Sequence, residues 1–205
     1  MFGIYYATKE SFTAFDALFK NKNGLQDKFI DYWDHTNARF ARNPYVVGYD
    51  PINEPLCGNP FKNLFLEVPG VADRTVLDPL YTKLHEKYMK NDDKSIMWFE
   101  PPPQPDTMPI GSGMVIPVGF EKPPGADFGS PNHVLNDHTY CCAMVHEEGT
   151  CKDEEPTAAG AKTCMNFHRA KLGTRNADAE RLGIPLFITE FGACFTEEPC
   201  TQEIT

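Results

Sequence analysis

The stretch from Val46 to Pro60 reads VVGYDPINEPLCGNP. An apolar run climbs to Tyr49, turns polar at Asn53 and Glu54, and meets Pro55. This predicts a strand over Tyr45–Asn53 that finishes beside a carboxylate. Polar groups at the mouth of an apolar strand are costly to desolvate unless something uses them. The pattern recurs. SIMWFEP, Ser95–Pro101, ends on Glu100 ahead of proline. Val134–Tyr140 closes on His138-Thr139-Tyr140, and LFITEFGAC ends its apolar part at Glu190.

Helical patterns separate these runs. Lys9–Lys20 places Phe12, Phe15, Leu18 and Phe19 at helical spacing. A second helix is predicted over Leu25–Arg42, with Leu25, Phe29, Trp33 and Phe40 on one face and Pro44 closing it. Asp78–Lys90 turns Leu80, Tyr81, Leu84 and Tyr88 inward, and Lys162–Arg181 forms another helix. Near-continuous apolar strands alternating with helices indicate an α/β fold with a parallel sheet under a helical cover. Sites in such folds lie at the carboxyl ends of the strands.

The remaining segments are a Pro/Gly-rich loop over 101–131 and a polar, cysteine-bearing insertion over 141–160. A loop this long is usually functional or disordered. Its Met108, Ile110, Met114, Val115, Ile116, Val118 and Phe120 are apolar enough to receive lipid.

Composition narrows the classes. The 205 residues carry 19 Lys+Arg against 29 Asp+Glu, a net charge of −10, which argues against nucleic acid as a partner. No run approaches the roughly 20 apolar residues of a membrane span. The 15 Phe and 8 Tyr serve mainly to fill a core. The seven cysteines lack the spacing of a structural zinc site and point to disulfides in an oxidising compartment. No secretory signal is visible, so a cysteine-rich chain without one is expected to belong to a longer protein.

Four strand ends thus offer Asn53-Glu54, Glu100, His138 with Tyr140, and Glu190. If the strands are parallel, these side chains converge on one rim. Two carboxylates sharing a site repel, and one pKa rises. One then serves as an acid while the other stays ionised, which is the division of labour in glycoside hydrolysis.

The motifs N-E-P, H-x-Y and T-E-F-G, each ending a strand, resemble glycoside hydrolase family 5, whose members are retaining (β/α)8 barrels. The endoglycoceramidases are the nearer likeness, through YYATKESFTAFDALFKNKNGLQDKF, VVGYDPINEP, WFEPPP with its long loop, NDHTYC and PLFITEFGAC. The resemblance runs over nearly the whole chain and is weakest in the cysteine insertion.

It implies that Glu54 is the acid/base, at the end of a fourth barrel strand, and Glu190 the nucleophile, at the end of a seventh. Asn53 would bond the sugar 2-hydroxyl, Tyr140 would hold the nucleophile, and His138 and Glu100 would line the same subsite. The separation of the two glutamates exceeds the roughly 94 residues that three average βα units occupy. The loop and the insertion account for the excess.

The expected fold is a TIM barrel in part, strands 4 to 7 with their helices, as a single catalytic-barrel fragment over 1–205. The first three strands, the eighth and a C-terminal β-sandwich are expected to be missing. The expected activity is cleavage of the β-bond between oligosaccharide and ceramide in a glycosphingolipid. It needs no metal, no organic cofactor and no obligate protein partner, and membrane lipid enters only as the source of substrate. The expected location is secreted or lumenal. Two alternatives stand beside this reading: a family 5 β-glucanase acting on polysaccharide, and an inactive truncated chain that binds glycolipid.

Overall fold

A computed structural model describes residues 8–103, 115–140 and 158–192. Helix α1 (Lys9–Phe19) is capped by Thr8, whose hydroxyl accepts the Ser11 N–H. Its predicted apolar side chains are only half-buried. The one buried residue is Asp16, held by Lys20 at 2.6 Å and Lys62 at 3.2 Å. A turn with Asn21, Asn23 and Gly24 in the left-handed region leads into helix α2 (Leu25–Phe40). Asn21 locks that start through two hydrogen bonds with Asp27.

Two expectations for α2 are corrected. It ends at Phe40 and not at Arg42, because Ala41 turns extended and the Arg42 N–H is taken by Asp92 at 2.7 Å. Pro44 plays no part in the stop. The inward face is also rotated: Gln26, Ile30 and Asn37 are buried, while Leu25 and Phe40 are exposed. The buried Gln26 amide is satisfied by the Leu18 and Phe19 carbonyls and Lys83, and the Asn37 amide donates to the Ser95 hydroxyl.

Strand β1 is much shorter than predicted, Gly48–Tyr49 only. A side chain at Gly48 would collide with the Ile96 carbonyl and the Trp98 indole, so only glycine fits there. Helix α3 (Asp78–Asn91) follows a π-turn (Asp73–Leu77) and buries Leu80, Tyr81, Leu84 and Tyr88 completely, as the spacing predicts. Strands β2 (Ile96–Phe99), β3 (His133–Tyr140) and β4 (Leu186–Gly192) complete the sheet, with helix α4 (Ala158–Leu182) before the last. The order is β1-β2-β3-β4 and every neighbouring pair is parallel. This is half of a (β/α)8 barrel.

Alternation along the strands sorts two faces. Tyr49, Met97, Phe99 and Leu135 point outward into the core shared with α3 and α4. The opposite face carries Val47, Trp98 and Phe187, which cluster without a cover; Val47 and Phe187 are exposed and Trp98 is half-buried. The stable core therefore lies between sheet and helices, and the inner face is open among the described residues.

In the part of the long loop described from residue 115, Val115 and Ile116 are half-buried. Val118 and Phe120 are buried in the core. Met108, Ile110 and Met114 lie outside the described residues. The loop is fastened by Asp73 and Asp178, which accept the N–H groups of Gly119 (2.5 Å) and Val118 (3.0 Å). Gly119 lies so close to Gly70 that a Cβ there would collide with the Gly70 backbone. Gly119→Ala is expected to lower stability by about 1–3 kcal/mol, read as a fall in the urea midpoint. An unchanged midpoint would show that the loop gives way without cost.

Cys57 is a buried free thiol beside Glu67, and burial pushes it up to about 12, which disfavours the thiolate. Cys164 is not a free thiol, and its partner lies outside the described residues. Cys194 and Cys200 also lie outside them, as does most of the 141–160 insertion.

Candidate active site

Glu54 does not end a strand. It sits five residues beyond β1, in a left-handed turn with φ of 42°. That conformation is uncommon for a non-glycine residue. It persists here because it points the Glu54 N–H at Glu100 Oε2, 2.8 Å away. Glu100 follows β2 directly and is 2% exposed. It forms the floor of the site, so its contact with the rim runs through other residues. Its Oε1 accepts from Asn136 at 3.0 Å, and its backbone is clasped by the Tyr81 hydroxyl on both sides.

In β3, the residues Asn136, His138 and Tyr140 share one face, as period two requires. Asp137 and Thr139 point the other way, to α4, where Asp137 meets Arg175 and Lys171 and Thr139 meets His168. In β4 the alternation breaks. Asp137 pairs with Ile188 while His138 pairs with Glu190, leaving Thr189 as an extra residue. This β-bulge turns Thr189 and Glu190 to the same side. Thr189 reaches Asn136 at 2.7 Å and His138 at 3.0 Å, and Glu190 accepts from the Tyr140 hydroxyl at 2.6 Å.

His138 is the hub. Its Nδ1 lies 3.0 Å from Glu54 Oε1 and 3.5 Å from Glu190 Oε2. Nε2 lies 3.0 Å from Thr189 Oγ1 and 3.5 Å from Glu100 Oε1. Burial opposes a charge on the ring, but the Glu54 hydrogen bond and the charges of Glu190, Glu54 and Asp137 outweigh it and raise its pKa. Glu100 is pushed up to about 9 by burial, reinforced by the neighbouring Asp50 carboxylate. The oxygens and nitrogen of Glu54, Glu190 and His138 lie within 4.8 Å of one another. A cation could use such a group, but here the imidazole already stands between the carboxylates.

The structure thus brings Glu54, Glu190, His138 and Tyr140 together, with Glu100 beneath them. Asn53 is exposed on the rim and makes no side-chain hydrogen bond among the described residues. Sequence reasoning passed over Asn136 and Thr189. Asn136 was legible, two residues before His138 on the same face. Thr189 was not, because alternation places neighbours of Glu190 on the opposite face and only the bulge reverses that.

Parallel strands with helices behind and a carboxylate pair at their carboxyl rim define the chain as part of a (β/α)8 barrel with its site where such barrels build one. No family model matches the chain. It is 35% identical over 139 residues to an endoglycoceramidase of Hydra vulgaris, a match spanning 66% of this chain and 25% of that protein. An endoglycoceramidase of Cyanea nozakii is 33% identical over 141 residues, 67% of this chain and 26% of that protein. The chain therefore spans about a quarter of the length of these curated relatives. Among solved structures, endo-glycoceramidase II of Rhodococcus sp. bound to a five-membered iminocyclitol superposes with a TM-score of 0.71 at 21% identity, covering 94% of this chain and 40% of that one. The same enzyme with ganglioside GM3 gives 0.68 at 20%, covering 91% and 38%. By these likenesses the chain is endoglycoceramidase-like, resembling part of the barrel of glycoside hydrolase family 5.

Proposed function

We propose that this chain supplies the acid/base and the nucleophile of a retaining glycosidase that cleaves the β-bond between oligosaccharide and ceramide. One observation carries the reading. Glu54 and Glu190 bring carboxylate oxygens within 4.8 Å of each other on one open rim. Retaining glycosidases hold the two carboxyl groups about 5–5.5 Å apart, and inverting ones about 6.5–9.5 Å, to leave room for a water. The iminocyclitol and GM3 complexes of the Rhodococcus enzyme support the substrate class.

In this reading Glu190 attacks the anomeric carbon, and the Tyr140 hydroxyl holds its other lone pairs in line. Glu54 gives its proton to the ceramide oxygen as the bond breaks. Water, deprotonated by Glu54, then releases the sugar and restores both groups. Asn53, free on the rim, bonds the sugar 2-hydroxyl. The cysteine content supports disulfides and a secreted or lumenal site of action. These steps need a protein that closes the barrel around the inner face.

The test is release of oligosaccharide from a glycosphingolipid by a protein that carries this chain, compared with its Glu54→Gln variant. The expected result is loss of activity on the natural lipid, with partial survival on a substrate whose leaving group needs no proton. Equal loss on both substrates would remove Glu54 from the acid role.

A further inference from the structure

The His138 ring has two nitrogens, and their surroundings differ in kind. Nδ1 faces two carboxylates, Glu54 and Glu190. Nε2 faces the Thr189 hydroxyl, and Glu100 stands somewhat farther off. What Thr189 can offer is fixed by its other bond. The Asn136 amide spends its N–H groups on Asp50, at 2.8 Å, and on Glu100, at 3.0 Å. Its carbonyl must therefore accept, and the donor is Thr189 Oγ1 at 2.7 Å. A hydroxyl has one proton. With that proton given to Asn136, Thr189 can only accept from Nε2.

The consequence falls on the other side of the ring. With a proton held at Nε2, the neutral ring is the Nε2–H tautomer and presents a lone pair at Nδ1. That lone pair would face carboxylate oxygens, which also only accept when ionised. A single extra proton at Nδ1, shared with Glu54 Oε1, resolves the conflict. The acid's proton is then stored between Glu54 and the ring, 3.0 Å apart, within reach of Glu190 as well.

We propose that Thr189 is a positioning residue for the acid/base: pinned to Asn136, it fixes His138 so that Nδ1 holds a proton against Glu54. The inference rests on the acid/base role given above to Glu54, but the ring's state can be read without turnover. Every titratable neighbour of the ring bears on it: Asp50 and Glu54 beyond β1, Glu100 after β2, Asp137 in β3 and Glu190 in β4. Asp137 is itself balanced by Arg175 and Lys171. Alternation from Phe187 puts Thr189 on the face of the ring, and the β4 bulge is what turns Glu190 to that same face.

The experiment is nitrogen-15 NMR of the histidine rings in a protein that carries this chain, as wild type, Thr189→Val and Thr189→Ser, across pH, with His138 assigned by a His138→Gln spectrum. The expected wild-type result is a ring protonated at Nε2 throughout, gaining its second proton at Nδ1 above the ordinary histidine range. In Thr189→Val the titration should move down and the Nε2 preference should weaken, while Thr189→Ser should keep the wild-type pattern. In turnover, the basic limb of the Thr189→Val pH profile should move the same way. A wild-type neutral ring found as the Nδ1–H tautomer overturns the proposal, even where the valine variant fails to fold. So does a Thr189→Val protein with unchanged ring shifts. If the wild type shows the expected ring yet releases no oligosaccharide, the proposed reaction fails and the positioning holds.

Discussion

Glu190→Gln, in an active protein that carries this chain, is expected to lower turnover on the order of 10⁴-fold or more while leaving glycolipid binding largely intact. The amide matches the carboxylate in shape and can still accept from the Tyr140 hydroxyl. His138 and Glu54 keep their places. What is lost is the electron pair that would form the bond to the anomeric carbon. An interaction used only along the reaction path shows in kcat and not in ground-state binding. Steady-state kinetics with a direct binding measurement checks this. A variant that retained a tenth of wild-type turnover would exclude Glu190 as nucleophile. One that lost binding in proportion would make it a recognition group instead.

The second large effect lies behind the site. Arg175 is 1% exposed and joins β3 to α4 and to the long loop. Its guanidinium bonds Asp137 at 2.5 Å, Asp178 at 3.2 Å and the Ile116 carbonyl at 2.9 Å. Burial alone would raise the Asp137 carboxyl, but the charges of Arg175 and Lys171 outweigh it and hold it below its usual value. Arg175→Met leaves that buried carboxylate with Lys171 alone. Breaking one side of a buried pair costs about 3–5 kcal/mol, mostly through the charge left behind.

The sign with pH follows from the depressed Asp137 value. Its contribution is present above the ordinary aspartate range, near pH 4, and fades as acid protonates the folded state. The gap between wild type and Arg175→Met should therefore narrow on acidification. Adding Asp137→Asn to the methionine variant should restore part of the stability at neutral pH. Urea midpoints across pH read both effects. A loss below about 1 kcal/mol that stays constant with pH would show that the ion cluster is not what fastens α4 to the sheet.

This cluster marks a boundary of what the sequence discloses. The helices and the parallel strands were legible because their apolar spacing is regular, and Leu80, Tyr81, Leu84 and Tyr88 lie where that spacing puts them. The rim carboxylates were legible because each interrupts an apolar run. Three things were not. The first strand shrank to two residues because Gly48 packs against β2 and the chain then turns to present Glu54. The inward face of α2 shifted onto Gln26 and Asn37, since their amides meet Lys83 and Ser95, partners distant in sequence. Glu100 shares the strand-end pattern of the other glutamates, yet the fold buries it beneath the rim, where Glu54 N–H and Asn136 bond to it from above and burial raises its pKa. Spacing identifies which residues end strands. It does not tell which of them face the rim and which support it.

The central claim is that Glu54 and Glu190 act on one sugar without a water between them. The most direct measurement is the configuration of the first-formed product. A protein carrying this chain is mixed with lactosylceramide in detergent micelles, and the anomeric protons of the released lactose are followed by NMR before mutarotation. Double displacement through Glu190 is expected to give the β-anomer first, with the α-anomer growing in slowly. Initial release of the α-anomer would mean a single inverting displacement. The pairing of Glu54 with Glu190 as acid/base and nucleophile would then be wrong.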